Sequence, residues 1–376
     1  MHEPQNIAEI CSIVADAISG GTKLEIIGGG TRADFGAPNR AATQLSMNAL
    51  SGIIEYDPAE LVLTARAGST LAELNAAVAE KNQAFAFEPW GDAGSTIGGV
   101  IAAGVSGSRR VSAGAVRDQL LGFEAVSGRG EAFRAGAKVV KNVTGYDLPK
   151  LVCGSWGRLA VLTEVTLKVL PRSLKRLTLL WPGLADEAAF ALMREAMRQP
   201  VDVAAASHLP GQATLIRLDG FGPSVAARRS HLSAALARYG APEALGEAEA
   251  VPLWAACQGG AALPPDPPLW RLSLPPRQAL GAIAPLLALG GHYVADWAGG
   301  LIWLALAGHE ETIRAQATQA GGHATLARAP AEMRARIPAL HPQPPGIEAL
   351  SRRVRRAFDP LCVFETNRFL DEPNAN

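Results

Sequence analysis

The chain has 376 residues, 48% of them hydrophobic and 19% charged, with 35 basic side chains balanced by 35 acidic ones. That length supplies two or three domains and a large core, while the neutral balance lacks the basic footprint of a nucleic-acid binder. No apolar run approaches the roughly 18 residues that cross a bilayer, and the N-terminus MHEPQNIAEICSIV lacks the order of a signal peptide.

Ile7, Ile10, Cys11, Val14 and Ile18 recur at helical spacing between Pro4 and Gly20–Gly21, which predicts an amphipathic helix over 4–19. Lys23–Ile27 reads as a short strand running into Gly28, Gly29, Gly30, Thr31 and Arg32, and LVLTARAG (61–68) alternates as a strand does. Thr70 opens a helix, with Glu73 completing a capping box and Leu71, Leu74 and Val78 facing inward. Residues 90–122 then hold eight glycines among regularly spaced apolar side chains, unlike a flexible linker. A glycine-rich turn system and a set of bare N–H groups that grip an anion both fit this stretch. Leu121–Val126 and Glu131–Phe133 read as a hairpin across SGRG, and LAVLTEVTLKVLP (159–171) as a pair of strands closed by Pro171.

From 173 to about 345 glycine clusters thin out. Helical stretches (185–198, 224–238, 277–288, 309–319) alternate there with strand-like ones (213–218, 269–274, 300–306, 322–327). That is the pattern of an α+β unit whose sheet is covered on one side. PPDPPLW (264–270) and HPQPPG (341–346) are proline-stiffened connectors. IEALSRRVRRAFDP (347–360) is a helix with a solvated arginine face, stopped at Asp359–Pro360.

Four segments carry binding chemistry. Gly28-Gly29-Gly30-Thr31-Arg32-Ala33 follows a strand and fits the loose dinucleotide fingerprint, with Glu55 near the place of a ribose-binding acid. Gly36, Pro38 and Asn39 forbid the helix that should follow, so a plain strand-to-loop turn and a phosphate cradle both remain open. Gly94-Ser95-Thr96-Ile97-Gly98-Gly99 sets hydroxyls beside paired glycines. Lys138 to Leu148 ends a strand in the polar turn NVTGYD, and Gly154-Ser155-Trp156-Gly157-Arg158-Leu159 leads into the next strand. P-loop, G-x-S-x-G and HExxH patterns are absent, and the seven histidines show no close pair, so no metal site is expected. Cys11, Cys153, Cys257 and Cys362 are scattered, without CxxC or metal spacing, and read as reduced thiols of a cytoplasmic protein.

Taken in order, IIGGGTRADFG, GSTIGGVIAAGVSG, GAVRDQLLGFEAV and KVVKNVTGYDLPKLVCGSWGRLAVLTEVTLKVLP resemble the FAD-binding domain of the vanillyl-alcohol oxidase/PCMH flavoprotein superfamily. Within it, the order is most similar to that of the FAD-binding subunits of bacterial glycolate oxidase. The resemblance implies an α+β protein with a PCMH-type FAD-binding domain of two α+β subdomains over 1–172. An α+β cap would cover 173–345, and a C-terminal helix and tail (346–376) would return to the FAD domain.

By the same resemblance, Gly28, Gly29, Gly30, Thr31 and Arg32 cradle the pyrophosphate of FAD, and Ser95, Thr96, Gly98 and Gly99 grip pyrophosphate and ribitol from the other side. Gly104, Ser106 and Gly107 line the flavin-side wall, braced by Arg117 and Asp118. Gly157, Leu159 and Leu162 lie by the adenine, and Lys141, Asn142 and Tyr146 near the flavin ring, Tyr146 as packing. Superfamily members with covalent flavin use a His or Cys beside these loops. GGGTRADFG has neither, so dissociable FAD is expected.

Two segments depart from the pattern. Ser155-Trp156-Gly157-Arg158-Leu159-Ala160 stands where S-x-G-T-L-G is usual, and Phe364-Glu365-Thr366-Asn367-Arg368 where F-N-P-G-R is usual. The implied activity is hydride transfer to FAD from the α-carbon of glycolate or a similar 2-hydroxy acid such as D-lactate, as part of a complex. The partners would be a second FAD-binding catalytic subunit and an iron–sulfur subunit, the complex being cytoplasmic or peripheral at the inner membrane through those partners. A self-sufficient oxidase and a non-catalytic scaffold are the alternatives. The resemblance supplies no catalytic residue. A carboxylate substrate asks for an arginine clamp, for which Arg271 in WRLSL is a candidate.

Overall fold

The computed structural model describes residues 1–38, 42–91, 93–136 and 145–370. The N-terminal part runs α1 (Ile7–Gly20), β1 (Leu24–Ile27), β2 (Thr43–Ser46), β3 (Ile53–Asp57), β4 (Val62–Arg66), α2 (Leu71–Ala79), β5 (Gln83–Ala84), α3 (Ile97–Ala103), α4 (Arg110–Ala113), α5 (Val116–Gln119), β6 (Leu120–Ser127), β7 (Ala132–Gly136), α6 (Leu148–Val152), β8 (Ala160–Lys168) and β9 (Leu170–Pro171). β1 and β2 pair in parallel, and α1 packs on them through Ile10 and Val14, with Leu24, Leu45, Val363 and Phe364 in the same core. β3-β4-β8-β6-β7 form a second, antiparallel sheet whose core takes Leu74, Ile97, Val100, Ile101 and Val165. The site lies between these two layers.

Local chemistry sets the boundaries. Asn6 caps α1 by accepting from the Glu9 amide, and Gly21 ends it at φ +63°. Thr70 and Glu73 form the expected capping box of α2. Thr96 caps α3 by accepting from the Gly99 amide at 3.3 Å, and Gly104 closes it at φ +63°. Residues 159–171 form the expected pair of strands, very unequal in length: the long β8 and the two-residue β9. The run holds no Gly, Asn or Asp to reverse it before Pro171.

Beyond Arg172 come β10 (Lys175–Pro182), α7 (Asp186–Ala196), β11 (Ala205–Leu209), β12 (Ala213–Gly220), α8 (Gly222–Ala235), β13 (Glu243–Leu245), α9 (Glu247–Cys257), β14 (Leu269–Ser273), α10 (Ala279–Ala288), β15 (His292–Asp296), β16 (Leu301–Ala305), α11 (Glu310–Gln319), β17 (His323–Arg328), α12 (Ala331–Arg334) and α13 (Pro345–Phe358). Eight strands make one antiparallel sheet, ordered β13-β10-β12-β11-β15-β16-β14-β17. Both faces are buried, not one. One side packs against Phe190, Leu232, Ile283 and Ile313 from four helices. The other meets Trp254 of α9 and Trp90 of the N-terminal part, through Trp297 and Trp303. Sequence periodicity cannot reveal a face covered by a segment two hundred residues away.

That second face is bolted to the glycine-rich segment. Asp296, fully buried, accepts from Ser108 Oγ at 2.7 Å, Ser207 Oγ at 2.6 Å and the Trp297 amide at 2.8 Å. Trp297 Nε1 donates to the Gly107 carbonyl at 3.0 Å, and Ser112 Oγ to that of Ala204 at 2.7 Å. Arg217 holds Glu88 and Asp219 together, and Arg109 reaches both acids.

Candidate functional site

A cavity of about 340 Å³ opens between the two N-terminal layers, within the size range of small-ligand and cofactor sites. Its walls come from the loop after β1, the first turn of α3, the start of β8 and the C-terminal segment. Gly28, Gly29, Gly30, Thr31, Arg32, Ser95, Thr96, Gly98, Gly99, Gly157 and Leu162 all line it. Two segments of the sequence, 64 residues apart, thus become one wall.

The contact between them is close, Gly28 meeting the Thr96 side chain and Gly29 the backbone of Gly94. A Cβ on Gly28 would lie 2.1 Å from Thr96 Oγ1, and one on Gly29 would lie 2.0 Å from the Gly94 carbonyl oxygen. Only glycine fits at either position. Thr31 Oγ1 and Ser95 Oγ share a hydrogen bond of 3.0 Å that ties the loops together at their rim.

The donors of this wall suit an anion. Among the described residues, the amides of Gly28, Gly29, Gly30 and Thr31 donate to no protein acceptor, and such a run of free N–H groups is an anion-binding concavity. Beside it, Arg32 lies with its guanidinium 4.4 Å above the Trp90 ring. It donates to the Trp90 carbonyl and, at 3.1 Å, to Thr31 Oγ1. No ion pair of Arg32 occurs among the described residues, and burial lowers its pKa to about 10, so it stays charged at neutral pH.

The amides of Ile97, Gly98 and Gly99 are already used, by Ser69 and Ala67 carbonyls and by Thr96 Oγ1. The α3 side therefore offers shape and the Ser95 hydroxyl more than free N–H groups. Ile26, Ala102, Ala103 and Leu162 supply an apolar floor for a ring system.

Sequence reasoning missed part of the lining. Arg368 of the C-terminal segment lines the cavity, with Nε on the Phe35 carbonyl at 2.7 Å, Nη2 on that of Arg32 at 2.6 Å and Nη1 3.4 Å from Glu25. Arg334 of α12 lines it too, donating to the Gly36 carbonyl at 2.8 Å and pairing with Asp34 at 3.3 Å. Trp156 stacks on Phe35 at 4.1 Å and 5°, with Phe369 against both rings. Only the FETNR match pointed toward Arg368, and nothing pointed toward Arg334.

Other candidates lie elsewhere. Gly104 ends α3 against Gly154, Ser106 accepts from Arg110 at 3.3 Å, and Gly107 packs on the Glu88 carbonyl below Trp297. None of the three is part of the cavity wall; Ser106 and Gly107 sit at the seam with the eight-stranded sheet. Arg117 and Asp118 are exposed, Asp118 bracing α5 by accepting from the Ala115 amide at 2.8 Å. Leu159 is buried behind the wall, Glu55 sits on the edge strand β3, and Tyr146 is 92% exposed. Lys141 and Asn142 lie outside the described residues.

Arg271 occupies the sheet face nearest the cavity's rim. It stands opposite Trp303 on the neighbouring strand, and Trp303 meets Trp90, the ring under Arg32. Among the described residues the Arg271 side chain has no hydrogen bond or ion pair; it lies 5.1 Å from the Trp297 ring, as Arg110 does. Burial and Arg110 lower its pKa to about 10. The described residues hold no group of His, Cys, Asp and Glu placed to bind a metal, and none of their helices is long and apolar enough to cross a membrane.

A family model described as an FAD binding domain matches residues 1–136. Glycolate oxidase subunit GlcE of Escherichia coli (strain K12) is 34% identical over 365 residues, 96% of each chain. D-lactate dehydrogenase of Archaeoglobus fulgidus is 32% identical over 203 residues, covering 54% of this chain and 44% of its own. Glycolate oxidase subunit GlcD of Bacillus subtilis (strain 168) is 31% identical over 217 residues, covering 57% and 44%. The solved structure of an alkyldihydroxyacetonephosphate synthase superposes with a TM-score of 0.67 at 14% identity, over 96% of this chain and 74% of that one, and shares the α+β fold. The chain belongs to the GlcE-type subunits of the FAD-linked oxidoreductase family.

Proposed function

We propose that this chain is an FAD-binding subunit of a glycolate oxidase complex that oxidises glycolate, or a similar small 2-hydroxy acid such as D-lactate, to the 2-oxo acid. The observation that carries this reading is the run of free amides from Gly28 to Thr31 beside the acid-free cation Arg32, at the mouth of one apolar-floored cavity. These residues fit a pyrophosphate, and Ile26, Ala102, Ala103 and Leu162 fit rings on either side of it. FAD, when bound, supplies the hydride acceptor.

The protein's own part is to bind, orient and exclude water. Ser95 and Thr31 close the wall over the pyrophosphate, and Gly157 lies where a flat ring can pass against backbone. Trp90 and Trp303 shield the rim toward the sheet, which serves as the cap over 173–345. Arg271, lacking an acid partner, receives the substrate carboxylate. No His or Cys lines the cavity among the described residues, which supports dissociable rather than covalent FAD. A second FAD-binding subunit and an iron–sulfur subunit complete the complex and carry the electrons onward.

The test is to purify the chain alone and with its co-expressed partners, and to add glycolate or D-lactate anaerobically while following the flavin spectrum. Bleaching that needs the partners supports the complex. Bleaching in the isolated chain makes it self-sufficient, and no bleaching in either preparation makes it a scaffold.

A further inference from the structure

The C-terminal segment holds Arg368 in the cavity wall, yet Arg368 is fixed by bonds to carbonyls of the very loop it must close. Val363 and Phe364 anchor the start of the segment in the α1 core, with the Leu24 amide on the Val363 carbonyl at 2.8 Å; the tie nearest Arg368 lies three residues before it. Arg158 Nε and Nη2 grip both carboxylate oxygens of Glu365 at 2.9 to 3.0 Å, and Arg355 Nε reaches the same carboxylate at 3.1 Å. Arg158 is 8% exposed and Glu365 6%, so water screens this forked pair little. The pair sits in a narrow cleft of about 20 Å³, and Glu25, Ile26, Trp156, Gly157 and Arg368 form walls of both this cleft and the cavity.

Between Glu365 and Arg368 the chain turns at Asn367, at φ +58°, and on the facing loop Trp156 stands at φ +57°. Both are left-handed conformations, which a bulky Trp adopts only when its surroundings force it. Trp156 is forced by its stack on Phe35 and by Phe369. The ion pair thus joins the loop that carries Trp156 to the turn that aims Arg368.

We infer that Arg158 and Glu365 act as a positioning latch, pinning the C-terminal segment so that Arg368 is held at the FAD cavity and contributes its charge to cofactor binding. The inference rests on the FAD reading of the cavity. Neither latch residue is placed to touch the cofactor; both act through Arg368.

The experiment is a titration of the full-length apoprotein with FAD, read by flavin fluorescence, with thermal unfolding of the apoprotein alongside. Glu365→Gln and Arg368→Met are each expected to weaken FAD binding by about tenfold, and the double variant by no more than either alone, because both remove one coupled function. Arg158→Thr/Glu365→Asn, which leaves neither latch charge, serves if Glu365→Gln does not fold, and is expected to match Arg368→Met in affinity. Wild-type affinity in the latch variants, or losses that add fully in the double variant, would overturn the latch and leave Glu365 a purely structural ion pair. A wild-type chain that takes up no FAD would instead sink the cofactor reading itself.

Discussion

Gly29 shows how little freedom the cofactor wall has. A methyl group there would press on the Gly94 carbonyl, and no side chain can rotate away to relieve it. Gly29→Ala is expected to part the two loops, costing about 1–3 kcal/mol of stability and most of the FAD affinity. Urea unfolding and FAD titration read the two effects. Arg32 works by charge instead of shape. Replacing it with Met removes a charge-assisted contact of about 1.5–3 kcal/mol, so FAD binding should weaken by about tenfold to a hundredfold. Apoprotein stability should change little, since the lost charge had no acid partner. Lys restores the charge but not the planar stack on Trp90, and is expected to recover only part of the affinity. At this scale both departures from the familiar motifs acquire a physical sense. Arg158 and Glu365, each odd alone, answer one another across the cleft, and Asn367 is among the few non-glycine residues at ease at positive φ.

Among the elements, the seam between the glycine-rich segment and the eight-stranded sheet turns on Asp296. Burial raises its pKa to about 6, against hydrogen bonds from Ser207, Ser108 and the Trp297 amide that lower it. A carboxyl raised above its unfolded value binds its proton more tightly in the folded state. Its contribution is therefore full below the unfolded pKa and is lost as pH rises through about 6. Asp296→Asn removes that titration while its side-chain oxygen can still accept from Ser207 and the Trp297 amide. Relative to the variant, the wild type should lose about 3 kcal/mol of stability between about pH 4 and pH 7. Denaturant midpoints of both proteins across that range check it, and parallel curves would refute it.

α3 shows what the sequence made legible at this scale. Thr96 is a helix cap, and Ile97, Val100 and Ile101 fall at helical spacing, but the paired glycines disguised a helix as a turn. The apolar run at 159–171 was legible as a pair of strands, but not their lengths: without a turn residue nearly all of it stays in β8, with only Leu170–Pro171 in β9.

For the whole molecule, the order of glycine-rich loops was enough to place the chain in its family, because close backbone approach can be met only by glycine and leaves a mark in the sequence. The cavity's other half left none. Arg334 and Arg368 arrive from 300 residues downstream, and Trp303 faces Trp90 through a sheet register that periodicity does not encode. The part of the site that binds the cofactor is accordingly more legible than the part that would meet a substrate. If the chain works within a complex, adding glycolate should bleach the flavin at a useful rate only when the partner subunits are present, which stopped-flow absorbance would register.

The most direct measurement is the visible spectrum of the purified chain after incubation with excess FAD, followed by acid precipitation. The two-loop cavity with its free amides leads to a yellow protein holding one FAD per chain, all of it released to the supernatant on precipitation. A chain that stays colourless in excess FAD would contradict the cofactor assignment, and flavin retained in the pellet would contradict its dissociable attachment.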